Sequence, residues 1–178
     1  MTPSAPLRRI LVASFAVACA AMLFRPHLGA ALVTRGDDVL RTGDVEGAVR
    51  YYGRAAALDA GSAIAADRLA FFLLVRRRSG DAARAHAIAN AALRALPADP
   101  ALLADRAFAA RRLGRRSAAE RDFVAAARAG NDPRYAHLAA RIAAERGDRA
   151  AARSHLRTAL ELDARYAPAR VFLAALGR

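Results

Sequence analysis

Several residue types are rare or missing from this chain of 178 residues, and each absence excludes a kind of chemistry. Lysine does not occur, so the chain has neither a Schiff-base lysine nor the lysine of a phosphate-binding P-loop. Cys19 is the only cysteine, which excludes an internal disulfide and a cysteine metal cluster. Aromatic residues make up 6% of the chain and β-branched residues are scarce, a composition poorly suited to a β-sheet.

Alanine dominates the hydrophobic residues, which make up 56% of the chain. Small apolar residues in this proportion are typical of helices that pack closely on one another. The length indicates one domain with a short extra segment. We therefore expect an all-α protein.

The formal net charge is +13, and all 29 basic residues are arginine. GC-rich coding accounts for a chain rich in arginine and alanine more simply than selection for an anionic partner does. The charge alone is therefore weak evidence for nucleic-acid binding.

Residues 1–26 have the features of a targeting or anchoring segment. Arg8 and Arg9 precede an apolar run without charge, Ile10–Phe24. A run of this length is long for a signal peptide and short for a membrane-spanning helix. Because the run continues beyond every candidate cleavage site, it favours a retained transmembrane anchor, with a helix that ends at Arg25 and Pro26.

Two other interpretations of this segment stay open. Small-residue cleavage sites at 16–18 and 18–20 would make it a removed signal peptide and the protein a soluble exported one. Residues 16–19 also resemble a degraded lipobox, which would make Cys19 a lipidated residue. The arginines ahead of the run favour a cytoplasmic N-terminus, with the rest of the chain on the periplasmic or extracytoplasmic side of a bacterial inner membrane.

Beyond this segment the chain repeats. Turn-forming glycines recur at Gly43, Gly80, Gly114 and Gly147, at intervals of 37, 34 and 33 residues. A period in this range predicts an array of helical hairpins in which each glycine opens the second helix of its hairpin.

The stretch 43–60, GDVEGAVRYYGRAAALDA, resembles half of a tetratricopeptide repeat (TPR). The positions that carry the resemblance are Gly43, Asp44, Ala48, Tyr52 and Ala55. The later second helices repeat it at Ala85, Ala89 and Ala92, at Ala119, Phe123 and Ala126, and at Ala152, Leu156 and Ala159. The resemblance implies a right-handed α-solenoid of about four hairpins over residues 29–178. An amphipathic stretch, Tyr166–Leu176, would be its C-terminal capping helix.

In that family the first helices line a groove that receives a peptide or a helix of another protein. The groove positions carried over to this sequence are Val33, Asp37, Leu40, Asp67, Phe71, Leu74, Ala104, Phe108, Arg111, His137 and Arg141. Phe71 and Phe108 are the candidate anchors, because aromatic side chains often carry binding energy, and ordinary interhelix core is the equal alternative for both. The residues of the carboxylate-clamp type are missing, so we do not expect recognition of a chaperone's acidic C-terminus.

A basic edge is expected where the turns between first and second helices meet. Its arginines are Arg76, Arg77, Arg78, Arg111, Arg112, Arg115, Arg116, Arg146 and Arg149. A solvated edge without a specific partner is the simplest interpretation. Anionic lipid headgroups, an acidic partner and nucleic acid are the alternatives.

No motif indicates an enzyme. The four histidines lack acidic neighbours at metal-ligand spacing, no cofactor motif is present, and Asp44, Asp81 and Asp148 are expected to be helix caps. We therefore expect a non-catalytic scaffold or assembly factor in the bacterial cell envelope, with a protein or peptide partner. An accessory subunit of a membrane complex and, less favoured, a nucleic-acid-binding solenoid are the alternatives.

Overall fold

The computed structural model describes residues 5–177, except for the side chains of 5–13 and 16–21. This part of the chain contains nine α-helices and no strand. They are α1 Ala5–Arg41, α2 Val45–Leu58, α3 Ala63–Arg76, α4 Asp81–Ala92, α5 Pro100–Arg112, α6 Arg116–Gly130, α7 Pro133–Glu145, α8 Arg149–Leu162 and α9 Ala167–Leu176. The chain divides within α3 into two compact units, Met1–Ala65 and Ala66–Arg178. The expectation of an all-α protein is confirmed.

The turns between first and second helices follow the glycine spacing. All four glycines have a positive φ, between 75° and 87°, the left-handed conformation that ends a helix at little cost only for glycine. Two of the three aspartates expected as caps have that role. Asp44 accepts a hydrogen bond from the Gly47 N–H at 2.7 Å, and Asp148 accepts one from the Ala151 N–H at 2.9 Å.

Asp81 does not have the capping role that we expected. The residue before α4 is Gly80, and the Asp81 carboxylate instead accepts two hydrogen bonds from Arg76, at 2.9 and 2.6 Å, and one from the Arg78 N–H at 2.9 Å. The three extra residues of this turn bring Arg76 back onto the start of α4. Asp81 is buried, and its hydrogen bonds to Arg76 hold its pKa below the ordinary range.

In the first unit, α1 and α2 pack through Tyr52. Tyr52 is fully buried, as are Ala48 and Ala55 on the same helix, and its hydroxyl donates to Asp37 Oδ1 at 2.6 Å. A Cβ at Gly36 would lie 2.5 Å from Tyr52 Cε1, so only glycine lets the ring lie against this part of α1. The small residue expected at this position therefore has a direct packing reason.

The first helix does not end where we expected. Pro26 lies inside α1, which continues without a break to Arg41. A proline in a helix removes one N–H donor and leaves one backbone carbonyl without its helical partner. Residues 22–28 are exposed, so water can reach that carbonyl. One helix therefore joins the end of the apolar run to the first repeat.

The targeting segment falls largely outside the described side chains, including Cys19 and both candidate cleavage sites. Across the part of the chain that the structure describes, no helix contains a stretch apolar and long enough to span a bilayer.

In the second unit the helices from α4 to α9 each pack on the next. Alanine fills most of the interfaces, and the large fully buried side chains include Phe123, Ile142 and Leu156. Asp99 and Asp132 cap α5 and α7, with a proline next in the chain as expected. The last helix, α9, packs on α8, and Ala169, Phe172 and Leu173 cover the apolar cluster around Leu156.

Candidate functional site

A cavity of about 400 Å³ opens between α3 and α5 in the second unit. Three groove positions expected from the sequence, Phe71, Leu74 and Phe108, line it together. The remaining lining residues are Val75, Arg77, Asp105 and Arg112. The structure therefore brings both candidate anchors to one site.

Both phenylalanines are partly exposed and held from behind by another ring. Phe71 is 48% exposed and meets Phe72 edge to face, with ring centroids 5.0 Å apart. Phe108 is 37% exposed and meets the fully buried Phe123 in the same manner at 4.9 Å. Such contacts fix the ring positions, so each side chain combines a core contact with a face open to the cavity.

A carboxyl group that is almost fully buried also lines the cavity. Asp105 is only 5% exposed, and its Oδ2 has no hydrogen-bond partner. Its other interaction is a hydrogen bond with the side chain of Asp67, a predicted groove residue on α3. Two acidic side chains from adjacent first helices, α3 and α5, therefore meet.

The proton of this pair belongs to Asp105. Burial, the charges of Asp67 and Asp99, and the hydrogen bond with Asp67 together raise the pKa of Asp105 to about 8. Burial also raises the pKa of Asp67, but its hydrogen bond with Asp105 and the charge of Arg68 oppose that rise. Near neutral pH, Asp105 is thus the protonated member of the pair.

Two arginines also line the cavity. Arg112 donates a hydrogen bond to the Leu74 carbonyl, and Arg77 is an exposed residue with φ at 59°. Burial and the nearby charge of Arg77 lower the pKa of Arg112. Both arginines also line an adjoining cavity of about 420 Å³ with Arg78, Asp81 and Ala82.

Two more groove positions, His137 and Arg141, line a different cavity of about 630 Å³ between α7 and α9. The His137 ring meets those of Tyr166 and Phe172, and burial lowers the pKa of His137. Residues of α9 form the other wall of this cavity, and among them Val171 is 70% exposed.

The other groove positions have different surroundings. Val33 and Ala104 are buried, Leu40 is half-buried, and Asp37 is held by Tyr52. Arg111 donates to Glu145 at 2.6 Å. The structure thus brings together two separate groups of groove residues in the second unit.

Several arginines expected at the basic edge are engaged within the protein. Arg76 bonds Asp81, Arg112 bonds the Leu74 carbonyl, and Arg146 donates to Glu120. Arg115, Arg116 and Arg149 are exposed. Part of the edge therefore stabilises turns and helix pairs of the fold.

Sequence reasoning missed Asp105. Its signal is an acid one helical turn before Phe108, on a helix whose other residues from Leu102 to Ala110 are mostly buried. Because α5 also contains several arginines, the sequence does not show which of its charged residues face the core. Asp105 is recognised as buried only once the buried face of the helix is known.

No protein-family model and no curated protein matches this chain. Solved structures of other proteins do match it. The chain is similar to TTC0263, a thermophilic TPR protein of Thermus thermophilus, at 22% identity and a TM-score of 0.65, over 94% of this chain and 95% of that one. It is similar to MamA at 13% identity and a TM-score of 0.72, over 84% and 80%, and to PilF of Pseudomonas aeruginosa at 18% and 0.67, over 85% and 68%.

These similarities show the class of fold. The chain has the all-α solenoid fold of tetratricopeptide repeat proteins, as the glycine spacing predicts. In the part of the chain that the structure describes, no group of three or more His, Cys, Asp or Glu side chains could hold a metal ion.

Proposed function

We propose that this protein is a non-catalytic scaffold that binds a protein partner through the first helices of its second unit. The observation that carries the proposal is the pair of half-exposed rings, Phe71 and Phe108, on either side of one cavity. Exposed aromatic side chains held rigidly from behind lose little entropy on binding and are frequent hot spots. Helical-repeat folds also present extended surfaces of this kind to their partners.

We further propose that the protein works in the bacterial cell envelope, on the extracytoplasmic side. The support is the basic start and the apolar run of residues 10–24. In this proposal the run retains the protein at the inner membrane. A soluble exported protein, a lipoprotein modified at Cys19 and an accessory subunit of a membrane complex are the alternative forms of the proposal.

The binding proposal is tested by affinity purification of the full chain from its native host. Phe71→Ala and Phe108→Ala should each reduce recovery of the specific partner about tenfold or more, because an aromatic hot spot is worth about 2 kcal/mol. Leu96→Ala is the matched control, since Leu96 is an exposed apolar residue in the loop after α4. Equal recovery with all three variants would contradict the proposal.

The location is tested by intact mass and membrane fractionation of the native protein. A full-length mass in the membrane fraction is the expected result. A mass that begins near Cys19 or Ala21 would replace the anchor with a lipoprotein or an exported soluble protein. A full-length protein found only in the soluble fraction would contradict an envelope role.

A further inference from the structure

The Phe71–Phe108 cavity adjoins a second cavity of a different character, which we call the arginine cavity. Its volume is about 420 Å³, and it is lined by Arg77, Arg78, Asp81, Ala82 and Arg112. The longer turn between α3 and α4 supplies Arg77 and Arg78, and the last residue of α5 is Arg112. The proposed function gives this group of three arginines no role.

Asp81 is the acidic residue in the lining of the arginine cavity, and it already has a counter-charge. Its carboxylate accepts two hydrogen bonds from Arg76, which does not line the cavity. Arg77 and Arg112 form no ion pair in the described part of the chain, and the side chain of Arg112 donates to a backbone carbonyl of α3. The described residues therefore leave the charges of Arg77 and Arg112 unbalanced at the cavity.

These two guanidinium groups also lie close together. Burial and the nearby charge of Arg77 lower the pKa of Arg112. Like charges held next to each other repel, and an anion bound between them replaces that repulsion with attraction. Both groups keep N–H donors for such an anion, because arginine has five and Arg112 uses one on the carbonyl of α3.

The number of charges and donors favours a phosphate group over other anions. A carboxylate has one charge and two oxygens, and the phosphodiester of a lipid or nucleic acid also has one charge. A phosphate with one ester bond or none carries about 1.5–2 negative charges at pH 7 and three or more acceptor oxygens. Arginine binds such oxygens through paired N–H···O bonds. Three guanidinium groups around one cavity therefore suit a dianionic phosphate.

We propose that the arginine cavity binds a dianionic phosphate group, as inorganic phosphate or a phosphate monoester, through Arg77, Arg78 and Arg112. The phosphate oxygens accept N–H bonds from the guanidinium groups, while Arg76 holds the Asp81 carboxylate. This site goes beyond the proposed scaffold function and does not depend on it. Because Arg77 and Arg112 line both cavities, the bound phosphate lies next to the proposed partner site.

Calorimetric titration of the full chain, held in a non-ionic detergent at constant ionic strength, tests the proposal. The probes are inorganic phosphate, methyl phosphate, dimethyl phosphate and acetate. Phosphate should bind saturably, and about tenfold or more tightly than dimethyl phosphate or acetate, because these anions lose charge-assisted bonds. Methyl phosphate distinguishes the two sources of the group. An affinity equal to that of phosphate includes monoesters, and a much weaker one restricts the site to inorganic phosphate.

Matched variants locate the binding. Arg77→Asn and Arg112→Gln should each weaken phosphate binding about tenfold. Arg121→Gln, which removes the same charge from an exposed position of α6, should change it less than about twofold. Asparagine suits position 77 because it tolerates a positive φ. Phosphate should also shift the NMR signals of the Arg77 and Arg112 Nε–H groups in the wild type, a test that needs no variant.

Three results would overturn the inference. They are the absence of saturable phosphate binding, equal affinities for phosphate and dimethyl phosphate, and an equal loss of affinity in Arg77→Asn and Arg121→Gln. The scaffold proposal is tested by partner recovery with Phe71→Ala and Phe108→Ala, so a failure of either proposal is distinguishable from a failure of the other.

Discussion

Single side chains set the helix spacing in the first unit and the polarity of the cavity in the second. Tyr52 holds α2 against α1 through a buried ring and a hydroxyl bonded to Asp37. Asp105 places a protonated carboxyl among apolar side chains. Each of these groups has one close neighbour that accommodates it, Gly36 for the ring and Asp67 for the carboxyl, so conservative substitutions at these positions give sharp tests.

Gly36→Ala is expected to destabilise the first unit by about 1–3 kcal/mol, because the added methyl overlaps the Tyr52 ring. Gly29→Ala in the same helix is the control. Its Cβ would lie 3.4 Å from Asp59 Cβ, an ordinary contact, and alanine favours the helix by about 0.5–1 kcal/mol. Urea unfolding measures both. A Gly36→Ala protein as stable as the Gly29→Ala protein would contradict this packing account.

Asp105→Asn is expected to change how stability depends on pH. The folded pKa of Asp105 is about 8, above the ordinary aspartate value of 3.8, so the group contributes full stability at low pH and loses it as pH rises toward 8. Its share of the slope is at most about 1.4 kcal/mol per pH unit. The free energy of unfolding of Asp105→Asn, relative to wild type, should therefore rise between about pH 4 and pH 8.

Other charged groups lie near Asp105, so the comparison uses the difference between the two proteins. The charges of Asp67 on α3 and Asp99 at the start of α5 act on Asp105, burial also raises the pKa of Asp67, and Arg77 and Arg112 line the same cavity. A pH-independent difference between wild type and Asp105→Asn would show that Asp105 is ionised in the folded protein throughout this range.

At the scale of elements, turn chemistry explains which expectations were met. Glycines with positive φ and capping aspartates act through their immediate neighbours in the chain, so local sequence predicts them well. Two features were not predicted, the continuation of α1 through Pro26 and the ion pair of Asp81 with Arg76. Both depend on the environment of the side chains in the folded protein, which the repeat spacing does not specify. Asp67 and Asp105 are 38 positions apart in the chain, and only the packing of α3 against α5 shows that they meet.

Asp81→Ala is expected to cost about 3 kcal/mol or more, because it removes the buried carboxylate that bonds Arg76 in a site where only 15% of the Arg76 side chain is exposed. Glu145→Ala, which breaks the more exposed pair with Arg111 in the same unit, should cost about 1 kcal/mol or less. Thermal and urea unfolding compare the two variants. Equal losses would mean that the α3–α4 turn gains no particular stability from the buried pair.

At the scale of the whole molecule, two properties favour different kinds of partner. The net charge of +13 attracts any polyanion, whereas the Phe71–Phe108 cavity selects by shape and hydrogen bonding. The repeat spacing predicted the solenoid fold, because a period of about 34 residues reports one helical hairpin per unit. The identity of a partner depends on side chains at the cavity, which the repeat pattern does not specify.

Salt dependence separates these two modes of binding. Association of the full chain with a single-stranded oligonucleotide should be weak and fall steeply as salt rises, since it depends on released counterions. Binding of the native protein partner should change little over the same range. A partner complex that dissociates with the same steep salt dependence would favour the arginine surface over the cavity.

The most direct test of the binding site is site-specific photo-crosslinking in the native host. A photoreactive phenylalanine analogue replaces Phe108 at the cavity, and the same analogue at the exposed Arg121 on α6 is the control. We predict one discrete crosslinked protein from position 108, lost when Phe71→Ala is added, and no such product from position 121. Equal products from both positions, or a product at position 108 that is unaffected by Phe71→Ala, would contradict the proposed site.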